Sequence, residues 1–204
     1  MALIWPVLRC GLGGTALGFA TLATFSFVGV PTIPTDAHGL PLRAARPSLA
    51  DALLSTGDLP PGFARTPPPR AARGCAGLLT DPAAGWAGAV RRQHERDGAR
   101  LWEVIATPAG DPLAELRAQL SACTDQMGVR QLRPPVAGGF AVGISSGSTT
   151  GYLAAARVGS TVVVLRYLGR TGPDTATASR PEAVGVTLRT AVDKLVTVTG
   201  GATG

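Results

Sequence analysis

The sequence predicts an α+β fold in which one antiparallel sheet packs against a few helices, with one disulfide. Three observations predict it. Strand-like runs over 140–168 lie between two amphipathic helical patterns, near 111–123 and 179–195. Asp97-Gly98 separates two segments whose charges match across a hairpin. Two cysteines, Cys75 and Cys123, remain once the apolar amino terminus that carries Cys10 is set aside. The chain has 204 residues, enough for one domain with an appendage, and at 45% hydrophobic it has the material for a core. With 27 Gly and 17 Pro, short elements and many turns are expected.

Arg9 is the only charged side chain of residues 1–35, and Cys10 to Thr35 is uncharged, with Leu17, Phe19, Leu22, Phe25 and Phe27 among its apolar side chains. A positive start followed by an apolar stretch is the pattern of a signal peptide or signal anchor over residues 1–37. Thr35-Asp36-Ala37 offers small residues at the positions a cut before His38 requires. If the segment is retained, residues 10–35 are long enough to anchor the chain in a membrane. Arg9 stands where lipoprotein acylation of Cys10 would need a small residue. Two cysteines in an exported chain of this size are most simply one disulfide, and His38 and His94 are too few and too far apart to complete a zinc site with them.

Residues 38–47, HGLPLRAARP, read as a linker, and the domain follows over 48–198, with a flexible tail at 199–204. Ser48 with Asp51 three residues on predicts the start of a short helix over 49–55. Gly57 to Gly62 ends it, and Pro67-Pro68-Pro69 makes 57–74 an extended loop. With Asp97-Gly98 as a two-residue turn, Glu95 faces Arg100 and Arg92 faces Glu103, which predicts strands near 87–96 and 99–107. A helix over 83–95, begun by Asp81-Pro82, is the competing reading. Asp111-Pro112 opens a helix whose Leu113, Leu116, Leu120 and Cys123 share one stripe. Strands are expected at 140–144, 152–158 and 161–168, the last two joined by a tight hairpin at Val158-Gly159-Ser160. Ser179-Arg-Pro-Glu182 is a capping box before a helix with Val184, Leu188, Ala191, Val192 and Leu195 on its apolar face.

The net charge of +6 suggests nucleic acid at first, but the basic residues are dispersed. Lys194 is the sole lysine and no basic run exceeds Arg91-Arg92. No nucleic-acid-binding motif accompanies them, so no nucleic-acid partner is expected. The dispersed arginines suit an anionic cell envelope. Gly143-Ile-Ser145-Ser146-Gly147 lacks the strand-turn-helix setting of a nucleophile elbow, and His94 is the one histidine of the domain. Neither phosphate-binding loop nor paired carboxylates stand out, so the sequence argues against an enzyme and for no cofactor or metal. His94, between Arg92 and Arg96, reads as a strand-surface residue. Arg91, Arg92 and His94 are the binding candidates, since arginines beside Trp86 and Trp102 could line an anionic site. The two tryptophans otherwise read as core.

Leu53-Leu54-Ser-Thr-Gly-Asp58-Leu-Pro60-Pro-Gly62-Phe63, Cys75-Ala-Gly-Leu78, Leu101-Trp-Glu103-Val, Cys123-Thr124 and Ala155-Ala-Arg157-Val-Gly-Ser-Thr161-Val-Val-Val164 follow one another in an order and spacing that resembles the PknH-like extracellular sensor domain of actinobacteria. The resemblance covers about residues 48–198. It implies a mixed sheet-and-helix domain outside the cytoplasmic membrane, secreted or held at the envelope. The chain departs from that pattern in lacking a kinase domain and an acylated cysteine, and in having one cysteine pair where the kinase sensors have two. The expected function is non-catalytic binding of a small ligand or envelope component. A structural or protein-interaction module of the envelope is the alternative, and a hydrolase using Ser145 or Ser146 with His94 is a third.

Overall fold

A computed structural model of the chain describes residues 47–70, 72–170 and 181–200. The segment 1–37 expected to direct export, nearly all of the expected linker, Ser179 of the expected capping box and the residues after Gly200 lie outside the described residues. The described fold belongs to the contact unit Ala45–Gly204.

Seven strands form one sheet: β1 (Ala64–Thr66), β2 (Val90–Arg96), β3 (Ala99–Ala106), β4 (Gly128–Leu132), β5 (Phe140–Ser146), β6 (Thr149–Val158) and β7 (Thr161–Arg170). Their order is β1-β2-β3-β7-β6-β5-β4. Every neighbouring pair is antiparallel. Two meanders, β1–β2–β3 and β4–β5–β6–β7, are thus joined side by side through β3 and β7. The helices are α1 (Leu49–Ala52), α2 (Cys75–Leu78), α3 (Pro112–Ser121) and α4 (Pro181–Gly200), with a single 3-10 turn at Thr56–Asp58.

Both faces of the sheet are covered. Trp102, Val104, Val142, Leu153, Val162 and Val164 pack with Leu78 and Trp86 of the α2 region and with Leu113, Leu116 and Leu120 of α3. On the other face Leu101, Ile105, Ala154, Val163 and Leu165 pack with Ala52 to Leu54 and with Val184, Leu188, Ala191 and Leu195 of α4. This explains why β7 is apolar nearly throughout: nine of its ten residues are buried, since successive side chains enter opposite cores. Both tryptophans are core residues, Trp102 at 1% exposure.

The expected hairpin is present. Asp97 and Gly98 both have positive φ (51° and 74°), as a type I′ turn requires, and Glu95 faces Arg100 while Arg92 faces Glu103. The helix competing for 83–95 does not form; turns precede Val90, where β2 begins. Asp111 caps α3 by accepting from the amides of Leu113 and Ala114, with Pro112 in the first turn. The disulfide Cys75–Cys123 is formed, with an S–S distance of 2.02 Å, and ties α2 to the end of α3.

Three expectations change. The helix expected over 49–55 stops at Ala52, because Leu53 turns extended (ψ 140°) and its carbonyl is taken by side chains from β2 and α4 instead of by a further helical turn. The stretch 57–74 is not loop throughout, as Ala64–Thr66 pairs with the edge of β2. The strand Gly128–Leu132 was not expected: it is an exposed edge strand without a buried alternation for sequence to reveal.

Candidate functional site

The expected sites can now be located. His94 is not on the surface but 1% exposed, because Leu53–Asp58 folds over it. Its Nε2 donates to the Leu54 carbonyl at 3.1 Å. Arg92 Nη1 donates to the carbonyls of Leu53 (3.1 Å) and Leu54 (2.8 Å), and the Leu54 amide donates to Glu103 Oε2 at 2.7 Å. From the far side, Lys194 Nζ donates to Leu53 O at 2.9 Å and to Asp58 Oδ2 at 2.6 Å. Arg92 and Glu103, opposite in register, therefore meet on one short piece of backbone instead of closing a direct ion pair. Burial drives the Glu103 carboxyl up to about 7, against the hydrogen bond from Leu54 and the nearby Arg92. Burial also lowers the His94 pKa. Lys194 holds Asp58 down to about 2.

Arg91 is equally committed. Its Nε donates to Asp81 at 2.7 Å and its two terminal nitrogens to the carbonyls of Ala89 and Ala83. Arg91 and Arg92 do line one pocket of about 250 Å³ with Arg65 and Gln93, at the β1/β2 edge. Its two central cations are already hydrogen-bonded to the protein, so it is a weak anion site. Ser145 and Ser146 lie on β5, four strand positions from His94 on β2, about 19 Å across the sheet. The Ser-His pair considered for a hydrolase is not assembled. Among the described residues no group of three or more His, Cys, Asp or Glu is placed to hold a metal ion.

What the backbone clamp at 53–58 does shape is a cleft of about 370 Å³. One wall is the loop Asp58 to Phe63, the floor is Leu101 and Tyr167 of the sheet, and the other wall is α4 from Ala183 to Thr190. The loop holds its shape for local reasons. Asp58 is tied to Lys194, and its carboxylate also accepts from the amide and hydroxyl of Ser55. Pro60 and Pro61 restrict φ. Gly62 has φ 96°, and a Cβ there would come within 2.8 Å of Arg96 Cδ. Arg96 in turn stacks over Phe63, its guanidinium carbon 5.0 Å from the ring centroid, and donates to Pro61 O. The cleft thus has an apolar lining with Arg96 and the ionised Asp58 at its rim, the usual chemistry of a small-molecule pocket. A second hollow, of about 450 Å³ beside the disulfide, is lined largely by glycines, alanines and the cystine itself.

Sequence reasoning singled out the residues 53–63 as a motif but not as a wall, and it missed Tyr167 and α4 as the rest of the site. The motif's Leu-Pro-Pro-Gly-Phe signal points to a fixed loop; what faces it depends on a helix about 120 residues further on.

No protein-family model, curated protein or solved structure matches the chain. Fold and site define a class only: an antiparallel-sheet α+β domain, covered on both faces, with one disulfide and an apolar cleft.

Proposed function

We propose that this is a non-catalytic binding domain that holds a small, mainly apolar ligand in the cleft between the Asp58–Phe63 loop and α4, outside the cytoplasmic membrane. The observation that carries the reading is the cleft itself: about 370 Å³, floored by Leu101 and Tyr167 and rimmed by one cation and one anion, a size and lining that suit a ligand with an apolar body and a polar end. The disulfide supports an oxidising compartment. The resemblance to PknH-like extracellular sensor domains agrees with both, and the first of the stretches that carry it, Leu53 to Phe63, includes the cleft wall Asp58 to Phe63. Membrane attachment, if it occurs, rests on residues 10–35; no helix among the described residues is long and apolar enough to cross a bilayer.

Against the reading as a protein-interaction module, large apolar side chains are exposed at only two described positions, Val186 and Val196, both on α4, and Val186 belongs to the cleft rim.

Native mass spectrometry of the protein purified from its own envelope tests the proposal directly: a bound molecule of constant mass is expected. In parallel, the fluorescent amphiphile 8-anilinonaphthalene-1-sulfonate should bind the folded chain saturably, and Val186→Trp, which fills the cleft from an exposed position, should weaken it at least tenfold without changing the unfolding midpoint. Equal binding by both proteins would remove the cleft from the argument.

A further inference from the structure

The face of the sheet turned away from the cleft carries a second anomaly. Gln93, Trp102 and Arg166 are register neighbours on β2, β3 and β7, so their side chains stand in one row on the α2/α3 face. All three are buried, Arg166 at 1% exposure. Arg166 Nε and Nη1, Trp102 Nε1 and the Gln93 amide oxygen are enclosed and have no hydrogen-bond partner among the described residues, three donors against one acceptor. The guanidinium carbon stands 5.9 Å from the Trp102 ring centroid, a contact that attracts the cation but accepts none of its N–H groups.

Nor does a carboxylate neutralise it. Asp81, the acid that favours its charge, is already held by Arg91 at 2.7 Å and by the Ala83 amide. The next charge on the same face is another cation. Arg100 precedes Trp102 by two residues on β3, which makes it the diagonal cross-strand neighbour of Arg166; it is exposed, and Glu95 faces it across the hairpin. Burial first, then Arg100, lowers the Arg166 pKa to about 9, which still leaves it a cation at neutral pH. Like charges on adjacent strands repel, and a desolvated cation without a hydrogen-bonded counter-charge is costly.

We propose that Arg166 and Arg100, with the indole N–H of Trp102, form a binding site for a small oxyanion, a carboxylate or phosphate group, that enters from the exposed Arg100 side. Arg166 supplies the desolvated charge, Trp102 a stacking surface and one further donor, and Arg100 the rim cation that attracts the anion. The site lies on the opposite face from the apolar cleft and does not depend on it.

The test uses the full chain at constant ionic strength, replacing chloride stepwise by inorganic phosphate or by acetate, and follows tryptophan fluorescence and the thermal unfolding midpoint. Saturable binding of either anion is expected, with the midpoint raised by about 5–10 °C at a hundredfold excess over Kd; whichever binds more tightly identifies the class. Arg166→Met should abolish the response and, in chloride, be at least as stable as the parent, since the desolvated charge is gone. Arg100→Gln, on the surface, should fold normally and weaken binding about fivefold to tenfold, which keeps the test in force if the Met variant fails to fold. Identical behaviour in chloride, phosphate and acetate, or an undiminished response in Arg166→Met or Arg100→Gln, overturns the proposal.

Discussion

The two faces of the sheet bury charge in opposite ways. On the α1/α4 face, Arg92, His94, Glu103 and Lys194 each spend at least one hydrogen bond on the peptide groups of Leu53 and Leu54. Their reward is a fixed loop and, beyond it, the cleft wall. On the α2/α3 face Arg166 has no such backbone to hold, only an indole ring. That face is held by a covalent tie between α2 and the end of α3. Arg92 Nε, His94 Nδ1 and Glu103 Oε1 are also left without a partner among the described residues, but each of those side chains holds backbone through another atom, whereas Arg166 holds none.

The contrast can be broken first at the disulfide. Closing a loop whose ends are 48 positions apart is worth about 4 kcal/mol on the chain-entropy account, so Cys75→Ser with Cys123→Ser should lose close to that in urea unfolding, and reduction of the parent should reproduce the loss. Thiol titration should find neither Cys75 nor Cys123 reactive until reductant is added.

Next comes the polar clamp. Glu103→Ala strands the buried Leu54 amide and should cost about 1–3 kcal/mol, while Glu103→Gln, which keeps an acceptor in place, should cost much less. The acid also gives the clamp a pH signature. Its folded pKa of about 7 lies above the unfolded value of 4.5, so the native state binds the extra proton and stability falls as pH rises through this window. His94 works the other way, with a folded pKa below 6.5: its contribution grows as pH rises and is complete about one unit above that value. Asp58, held down to about 2, loses its contribution only as pH falls through the range below 3.8. At pH 6.5 half of the unfolded-state imidazole is still charged, so over the next unit His94 adds a smaller rise of opposite sign, which Glu103→Gln isolates. Relative to Glu103→Gln, the unfolding free energy of the parent should drop by about 1 kcal/mol from pH 6.5 to 8, while the variant itself rises slightly. A rise in the parent over that interval would contradict the assignment.

A smaller effect is expected at Gly62→Ala, where a positive φ and the approach to Arg96 Cδ combine to cost about 1 kcal/mol. Because that strain falls in the cleft wall, it should also weaken amphiphile binding, which the loss of the disulfide on the far face should leave nearly unchanged in the folded fraction.

Much of the fold was legible in the sequence, for identifiable reasons. The Asp97-Gly98 turn, the Asp111-Pro112 start of α3 and the β-branched run of β7 are local signals: turn conformation, capping and a fully buried strand each leave a mark within a few residues. β4 left none, because an edge strand with polar faces has no hydrophobic period. His94 misled for a related reason. Flanked by Arg92 and Arg96, it reads as a surface position, yet all three side chains project to the face covered by the Leu53–Asp58 segment. The cleft was legible only in part, as a proline-glycine motif whose partners lie on β3, β7 and α4.

By itself, then, the sequence determined the fold class, the main hairpins, the α3 cap and the pairing of Cys75 with Cys123, since each follows from local conformational preference or from having only two cysteines in the domain. Tertiary structure decided the rest. Whether a charged residue is a surface group, a clamp or an unpaired cation depends on which distant segment covers it, and neither the burial of His94, the elevation of Glu103 nor the isolation of Arg166 is written in the residues beside them.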